Sequence, residues 1–432
     1  MTESFLQFLW LHRLFAGSLA TVDGRSVSID SPGSLNSAAG PDFLNARISI
    51  GGIRWAGSVE VHVNASDWNL HQHSNDPAYN NVILHVVYNH DCNITTAAGS
   101  LLPVLELRHF ISPDLFACYD KLMRGPEKKG SVACADLLSE TPDFVLHSWL
   151  ERLLIERLER KSKAIAQMLE DNKGSWETTC YWLSACYFGG KDNAIPFEIL
   201  AKAAPLNIIS RYRDDRDRIE ALLLGQAGLL NDQFSDDYPR RLQAEYEILR
   251  KGYSLTPISA YLWKFFRMRP SSFPTVRISQ FASFLCTSHN LFSKLLETER
   301  VEDLLACFNA TAADYWTTHY RFDAATKASI KRVGTQLANT LVINAWLPLL
   351  FVYGRRHDRQ DLCDRAVELL RQVKPETNNI VRVWKDFGIQ PRSAADTQAL
   401  LQLFNNYCDL HRCLDCRIGY HCLSNNPSRV NS

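Results

Sequence analysis

The sequence predicts an α+β fold, with an N-terminal α/β domain built on a mixed sheet and a large all-α domain after it. Three observations predict it. Residues Ser58 to Asn64 alternate without a break, placing Val59, Val61 and Val63 on one face and Ser58, Glu60, His62 and Asn64 on the other. The run Val82–Tyr88 is almost wholly apolar and β-rich, as a central strand is. From Pro142 onward, apolar residues recur at spacings of three and four nearly to the end. A chain of 432 residues exceeds what one core usually supports. The expected division is 1–125 for the α/β domain, 126–400 for the helical domain and 401–432 for a cysteine-rich tail.

Taken in order, residues 3–16 carry Phe5, Phe8, Leu9, Leu11, Leu14 and Phe15 at helical spacing, capped near Thr2, with Glu3 suiting the helix dipole. Val27–Ile29 reads as a strand after the turn Asp23-Gly24, and residues 31–42 are turn-rich throughout. Strands at 46–50 and 53–63 meet at Gly51-Gly52, a hairpin signal. Residues 75–81 form a short helix or turn, followed by strands at 82–88 and 101–107. The order is thus helix, three strands, short helix, strand. Residues 112–124 are helical, and 125–130 is a charged, breaker-rich loop suited to a domain boundary. Helices are then expected at 145–171, 175–188, 194–204, 208–224, 241–250, 258–267, 277–287, 290–298, 300–308, 337–353, 360–371, 378–386 and 394–407. No fixed period marks a repeat array.

Lysine plus arginine equals aspartate plus glutamate, so the net charge is zero and bulk electrostatics ask for neither a nucleic-acid binder nor a membrane-surface protein. The N-terminus lacks a basic segment and a cleavage site, and no apolar run approaches the span of a bilayer. A cytoplasmic protein without a membrane partner is expected. Eight of the twelve cysteines lie in apolar surroundings and read as reduced core residues.

Three constellations carry chemistry. Asp42 stands at the entrance of the hairpin and Glu60-Val61-His62 on its returning strand; two carboxylates with retained waters are how Mg²⁺ or Mn²⁺ is held. Asp67, His71, His73 and Asp76 follow in a polar run, where alternate histidines and a carboxylate can share a metal. At the C-terminus Cys408, Cys413, Cys416 and Cys422 fall within fifteen residues. In a reducing compartment they read as a Zn²⁺ site or, second, an iron–sulfur site. Arg267, Arg269 and Arg277, around the rigid Pro270 and Pro274, are phosphate-binding candidates.

Pro41-Asp42 followed by Glu60-x-His62, within this element order, resembles the PD-(D/E)XK phosphodiesterase superfamily. The resemblance implies Asp42 and Glu60 as metal-holding carboxylates, Glu3 as the first-helix acid, and a nuclease acting on nucleic acid. His62 stands where that family has lysine. His71-x-His73 is similar to the His-x-His of zinc hydrolases, and Cys413-x2-Cys416-x5-Cys422 to half of the iron–sulfur staple of some nucleases. The alternatives are a non-catalytic nuclease-like module whose helical domain binds nucleic acid or a protein partner, and a zinc-dependent hydrolase on His62, His71 and His73.

The chain as a whole resembles a bacterial family known as domain of unknown function 2851. The residues that carry this are Glu3 to Trp10, Ala39 to Phe43, Trp55 to His62, Asp67-Trp68 with His71-Gln72-His73, and Tyr79 to Val87. Arg269-Pro270 with Phe273-Pro274, and Cys413 to Gly419, continue it. That resemblance implies no activity.

Overall fold

The computed structural model describes residues 1–97, 99–125, 132–288 and 290–425, so the expected boundary loop lies, after Gly125, outside the described residues. The architecture is α+β. Contacts divide the chain into two compact units, one of Met1–Trp149 with Leu403–Ser432 and one of Leu150–Gln402. The cysteine-rich tail therefore belongs to the same unit as the sheet.

The first unit opens with helix α1 (Glu3–His12), whose N-cap Thr2 accepts from the Phe5 amide. Its apolar side buries Phe5, Leu6, Phe8, Leu9 and Trp10. The helix stops at His12, short of the expected residue 16, because Arg13 takes a left-handed conformation and returns its N–H to Leu9 and Trp10. A left-handed C-cap satisfies carbonyls that the helix leaves open.

Strands β1 (Val27–Ser31), β2 (Ser34–Leu35), β3 (Phe43–Ile50), β4 (Ile53–Asn64), β5 (Val82–Asn89) and β6 (Val104–Glu106) make one mixed sheet. Its order is β1-β3-β4-β5-β6, with β2 on the edge of β3. β1, β3 and β4 run antiparallel, whereas β4, β5 and β6 are parallel. β3 and β4 turn at Gly51 and Gly52, both with positive φ (58° and 83°), as a tight hairpin with the right twist requires.

The parallel β4–β5 pair decides the character of the site. Strands in parallel sheets are usually buried on both faces, and here Val59 and Val61 are buried on one face and Glu60 and His62 on the other. The crossover from β4 to β5 supplies the cover on the polar face: α2 (Asp67–Leu70), then 3₁₀ turns at His73–Asn75 and Pro77–Tyr79. Gly57 lets the strands approach, since a Cβ there would meet Ile83 Cγ2 at 2.5 Å and the Asn81 carbonyl at 2.6 Å. Beyond the sheet, α3 (Pro113–Arg124) packs Tyr119 flat on Phe5, ring centroids 3.7 Å apart.

The second unit is almost entirely helical, led by α4 (Asp143–Asp171), which enters it at Leu150, and α5 (Trp176–Ala203). α5 joins the two helices expected at 175–188 and 194–204 across a kink, with non-helical backbone at Gly190 and Asn193. Residues 258–267 are not a helix. Apart from a 3₁₀ turn at Ala260–Leu262 they are irregular, with Arg267 in left-handed backbone. A small hairpin at His319–Arg321 and Ala324–Ala325 was not foreseen. Thr335–Arg356 is long and apolar enough to cross a membrane by length and composition, contrary to the expectation that no such run exists. Its most apolar window is 72% buried within the protein, as a core helix is.

Candidate metal centre

Asp42, just before β3, and Glu60, on β4, are interlocked through the backbone. The Asp42 amide donates to Glu60 Oε2 at 3.0 Å, and the Val61 amide donates to Asp42 Oδ2 at 3.0 Å. Gln7 of α1 donates to Asp42 Oδ1 at 2.9 Å. The bulge in the β3–β4 pairing between Phe43 and Ala46 lies immediately after this junction, and bulges often re-aim side chains near sites. The second oxygen of Glu60, Oε1, faces histidines instead, 3.4 Å from His62 Nε2 and 3.3 Å from His73 Nε2.

His62 Nε2 also stands 3.2 Å from His71 Nδ1. One ring nitrogen from each of His62, His71 and His73 falls within 4.8 Å of the others, the one such group of three potential ligands among the described residues. Two nitrogens on one tetrahedral zinc stand about 3.3 Å apart, given Zn–N bonds near 2.0 Å. The His62–His71 spacing already matches. His62 and His73 are buried, while His71 is exposed, so the group opens to solvent on the His71 side.

His62 and His73 are each held from behind. His62 Nδ1 lies 2.9 Å from Nε2 of His85, which is fully buried and faces Glu60 in the β4–β5 register. If that Nδ1 carries the proton, the Nε2 lone pair is left facing the other two histidines, the arrangement that orients a ligating imidazole. His73 is stacked on Tyr79 at 3.8 Å and meets the edge of Trp68, whose indole N–H donates to Ser74. Asp67 accepts from the Asn64 amide at 2.8 Å, fixing the chain as it leaves β4. Asp76 caps the Ala78 amide, so it supports the turn and does not join the histidines.

The electrostatics all lean toward neutrality. Burial first, then the Asp42 carboxylate, pushes the Glu60 carboxyl up to about 8. Burial also raises Asp42, and burial followed by Asp42 raises Glu3. In the opposite direction, burial and then His73 bring His62 down to about 4, and burial and then His62 bring His85 down to about 3. His73 is lowered as well, chiefly by burial. Acids that resist losing protons beside imidazoles that resist gaining them form a cluster that a cation would relieve.

Of the residues singled out in the sequence, the fold thus gathers Asp42, Glu60, His62, His71 and His73, with Glu3 close enough to act on Glu60. Gln7 was missed, and His85, which reads from the sequence as a satisfied core histidine, is buried and hydrogen-bonded to His62. Gln7 lies on a helix whose docking the sequence does not state, and His85 sits in an apolar run whose pairing with Glu60 is a matter of register. The three arginines belong to the second unit. Arg277 is turned onto Gln280 and Ser272, its guanidinium donating at 3.0 and 3.4 Å. Arg267 lies over the Phe266 ring. The carbonyl of Arg269 accepts from the Ser272 amide at 2.8 Å.

Cys408, Cys413 and Cys416 come together in the first unit around a small cavity that Cys134 also lines, while Cys422 lies outside that lining. A larger cavity of about 790 Å³ opens beside Cys118, His421 and Cys422, and none of His62, His71 and His73 lines it.

A family model described as "Protein of unknown function (DUF2851)" matches residues 3–379. No curated protein and no solved structure matches the chain. The matched span ends before Cys408, so it includes the sheet, the histidines and most of the helical unit but not the tail cysteines.

Proposed function

The chain belongs to the DUF2851 family, whose description names no activity, and from its own side chains we propose a metal-dependent hydrolase centred on His62, His71 and His73. The observation that carries this is the convergence of three ring nitrogens within 4.8 Å, with Glu60 Oε1 3.3–3.4 Å from two of them. Three neutral imidazoles suit zinc or iron better than magnesium or manganese, which prefer oxygen. A divalent ion there would supply a water acidic enough to ionise near neutral pH.

The chain's own groups do the rest. Glu60, held by the Asp42 amide on one oxygen, turns the other toward His62 and His73, where it would serve as a general base once a cation had displaced its own proton. Asp42, Gln7 and the Val61 amide fix the acid's geometry. His85 holds His62, and Tyr79 with Trp68 holds His73. The exposed edge at His71 is the side from which substrate arrives.

A second reading is supported by the Asp42–Glu60 interlock. It is the PD-(D/E)XK-like one, a Mg²⁺- or Mn²⁺-dependent nuclease with Asp42 and Glu60 as ligands and His62 in place of lysine. A non-catalytic module binding nucleic acid or a protein is the outcome if neither activity is found.

Metal analysis paired with hydrolysis assays separates these readings. Wild type, His71→Ala and Glu60→Gln are compared on p-nitrophenyl esters, bis-p-nitrophenyl phosphate and single- and double-stranded DNA and RNA, with Zn²⁺, Mn²⁺ or Mg²⁺. The proposal expects His71→Ala to lose metal and activity together, and Glu60→Gln to keep metal while losing activity. Activity with Mg²⁺ that survives His71→Ala and vanishes in Asp42→Asn moves the site to the carboxylates. No turnover of any substrate with any of the three ions removes the catalytic reading.

A further inference from the structure

The first unit contains a second cluster of potential ligands, made of sulfur. Its residues come from two distant segments, Cys134 following the loop after α3 and Cys408, Cys413 and Cys416 in the tail. All four line one small cavity together with Leu122 and Gly419. Cys422 is close enough to influence both Cys134 and Cys416, and none of these cysteines is in a disulfide.

The tail backbone turns tightly where these cysteines fall. Cys413–Asp415 forms a 3₁₀ turn, and Cys416 is the N-cap of the helix Arg417–Ser424. Cys416 is buried at the start of that helix, as is Cys134 after α3. Gly419 is demanded by the same turn, because a Cβ there would collide with the Cys413 carbonyl.

We infer that Cys134, Cys408, Cys413 and Cys416, with Cys422 beside them, hold a thiophilic metal centre that ties the C-terminal segment to the N-terminal segment of its own unit. Cys134 is what the structure adds, a ligand from outside the tail that no spacing within the tail reveals. The sulfurs stand wider apart than the histidine nitrogens, which alone meet the 4.8 Å spacing among the described residues. A single tetrahedral zinc, with sulfurs about 3.8 Å apart, would therefore draw them inward. An iron–sulfur centre carries its cysteines on separate irons and needs less movement.

The test uses full-length protein purified without oxygen, in the His71→Ala background so that metal at the histidines does not contribute. Zinc, iron and acid-labile sulfide are measured per chain. Zinc without sulfide identifies a single ion, and iron with sulfide and visible charge-transfer absorption identifies a cluster. Cys134→Ser and Cys416→Ser are each expected to lose more than half of that metal, whereas Cys307→Ser keeps it. Because a serine variant can also fail by misfolding, the unsubstituted chain is alkylated before and after chelation and its peptides weighed. Cys134 and Cys416 should become reactive together once metal is removed, and proteolysis should then release the tail. Unchanged metal content in both variants, or equal alkylation of Cys134 and Cys416 with and without chelator, overturns the inference.

Discussion

Replacing Glu60 with glutamine tests the electrostatics of the histidine centre without asking what the substrate is. The carboxyl is buried, with one oxygen on the Asp42 amide and the other facing His62 and His73. Its folded-state value is about 8 against an ordinary 4.5. Between those two values the folded chain keeps a proton that the unfolded chain has released, so stability falls as pH rises through that window and levels off above about 8. Each unit of pH costs about 1.4 kcal/mol. Glutamine cannot titrate, so Glu60→Gln escapes this loss. The opposing contribution of His62, lowered to about 4, gains stability as pH rises toward 6.5; it is common to both proteins and cancels in the difference. In the presence of chelator, the melting gap between Glu60→Gln and wild type should widen in favour of the variant from pH 5 to 7.5. For a unit of this size that is roughly 3–5 °C per pH unit, at 2–4 °C per kcal/mol. Differential scanning calorimetry across that range reads it directly. Zinc should then raise the melting temperature of wild type more at pH 7.5 than at 5.5, because the ion must displace the Glu60 proton. A gap that stays flat with pH would falsify the claim that Glu60 is held protonated.

His85→Ala should weaken metal retention by about 10- to 100-fold, the usual cost of losing the partner behind a ligating histidine, with His71→Ala losing the ion outright; competition with a zinc indicator measures both. Gly57→Ala forces a Cβ against the Asn81 carbonyl and Ile83, and overpacking of this kind should cost about 1–3 kcal/mol in urea denaturation; a loss below a few tenths would show that the strands can part. In the helical unit, Lys161 donates to Asn344 at 2.7 Å and Gln398 at 2.9 Å. Burial, and then Arg157, lowers it to about 7. The unfolded chain therefore binds the extra proton above pH 7, so wild type should gain stability relative to Lys161→Met from pH 7 to about 10, and a falling trend there would contradict this.

The sheet was legible because its signals are local. Alternation at 58–64, the glycine pair at 51–52 and the apolar run after Asn81 each report one strand or turn, and the structure places β3, β4 and β5 there. The end of α1 was not legible, because Arg13 gives no sign of taking a left-handed cap. The false helix at 258–267 shows the opposite error: Tyr261, Leu262 and Phe266 have helical spacing, yet Tyr261 and Phe266 are exposed. For the site, composition pointed to a stretch whose acids and histidines the fold brings together. What composition omits is which atoms meet. Glu60 was paired in sequence with Asp42, and the structure keeps that pairing, but through a backbone amide, leaving the other carboxylate oxygen to the histidines.

That difference has a structural cause in the sheet itself. An antiparallel return from β4 would have needed only a short turn and would have left the Glu60–His62 face open. The parallel pairing with β5 requires a crossover, and the residues from Ala65 to Asn81 that make it are the ones carrying His71, His73, Trp68 and Tyr79. The polar face of β4 is thereby covered by its own connection, with His85 aligned on the neighbouring strand. Burial then does the electrostatic work, raising Glu60 and lowering His62 and His85 together. The same change of strand direction that closes the core over a charged face therefore also assembles three imidazoles and an acid around one point.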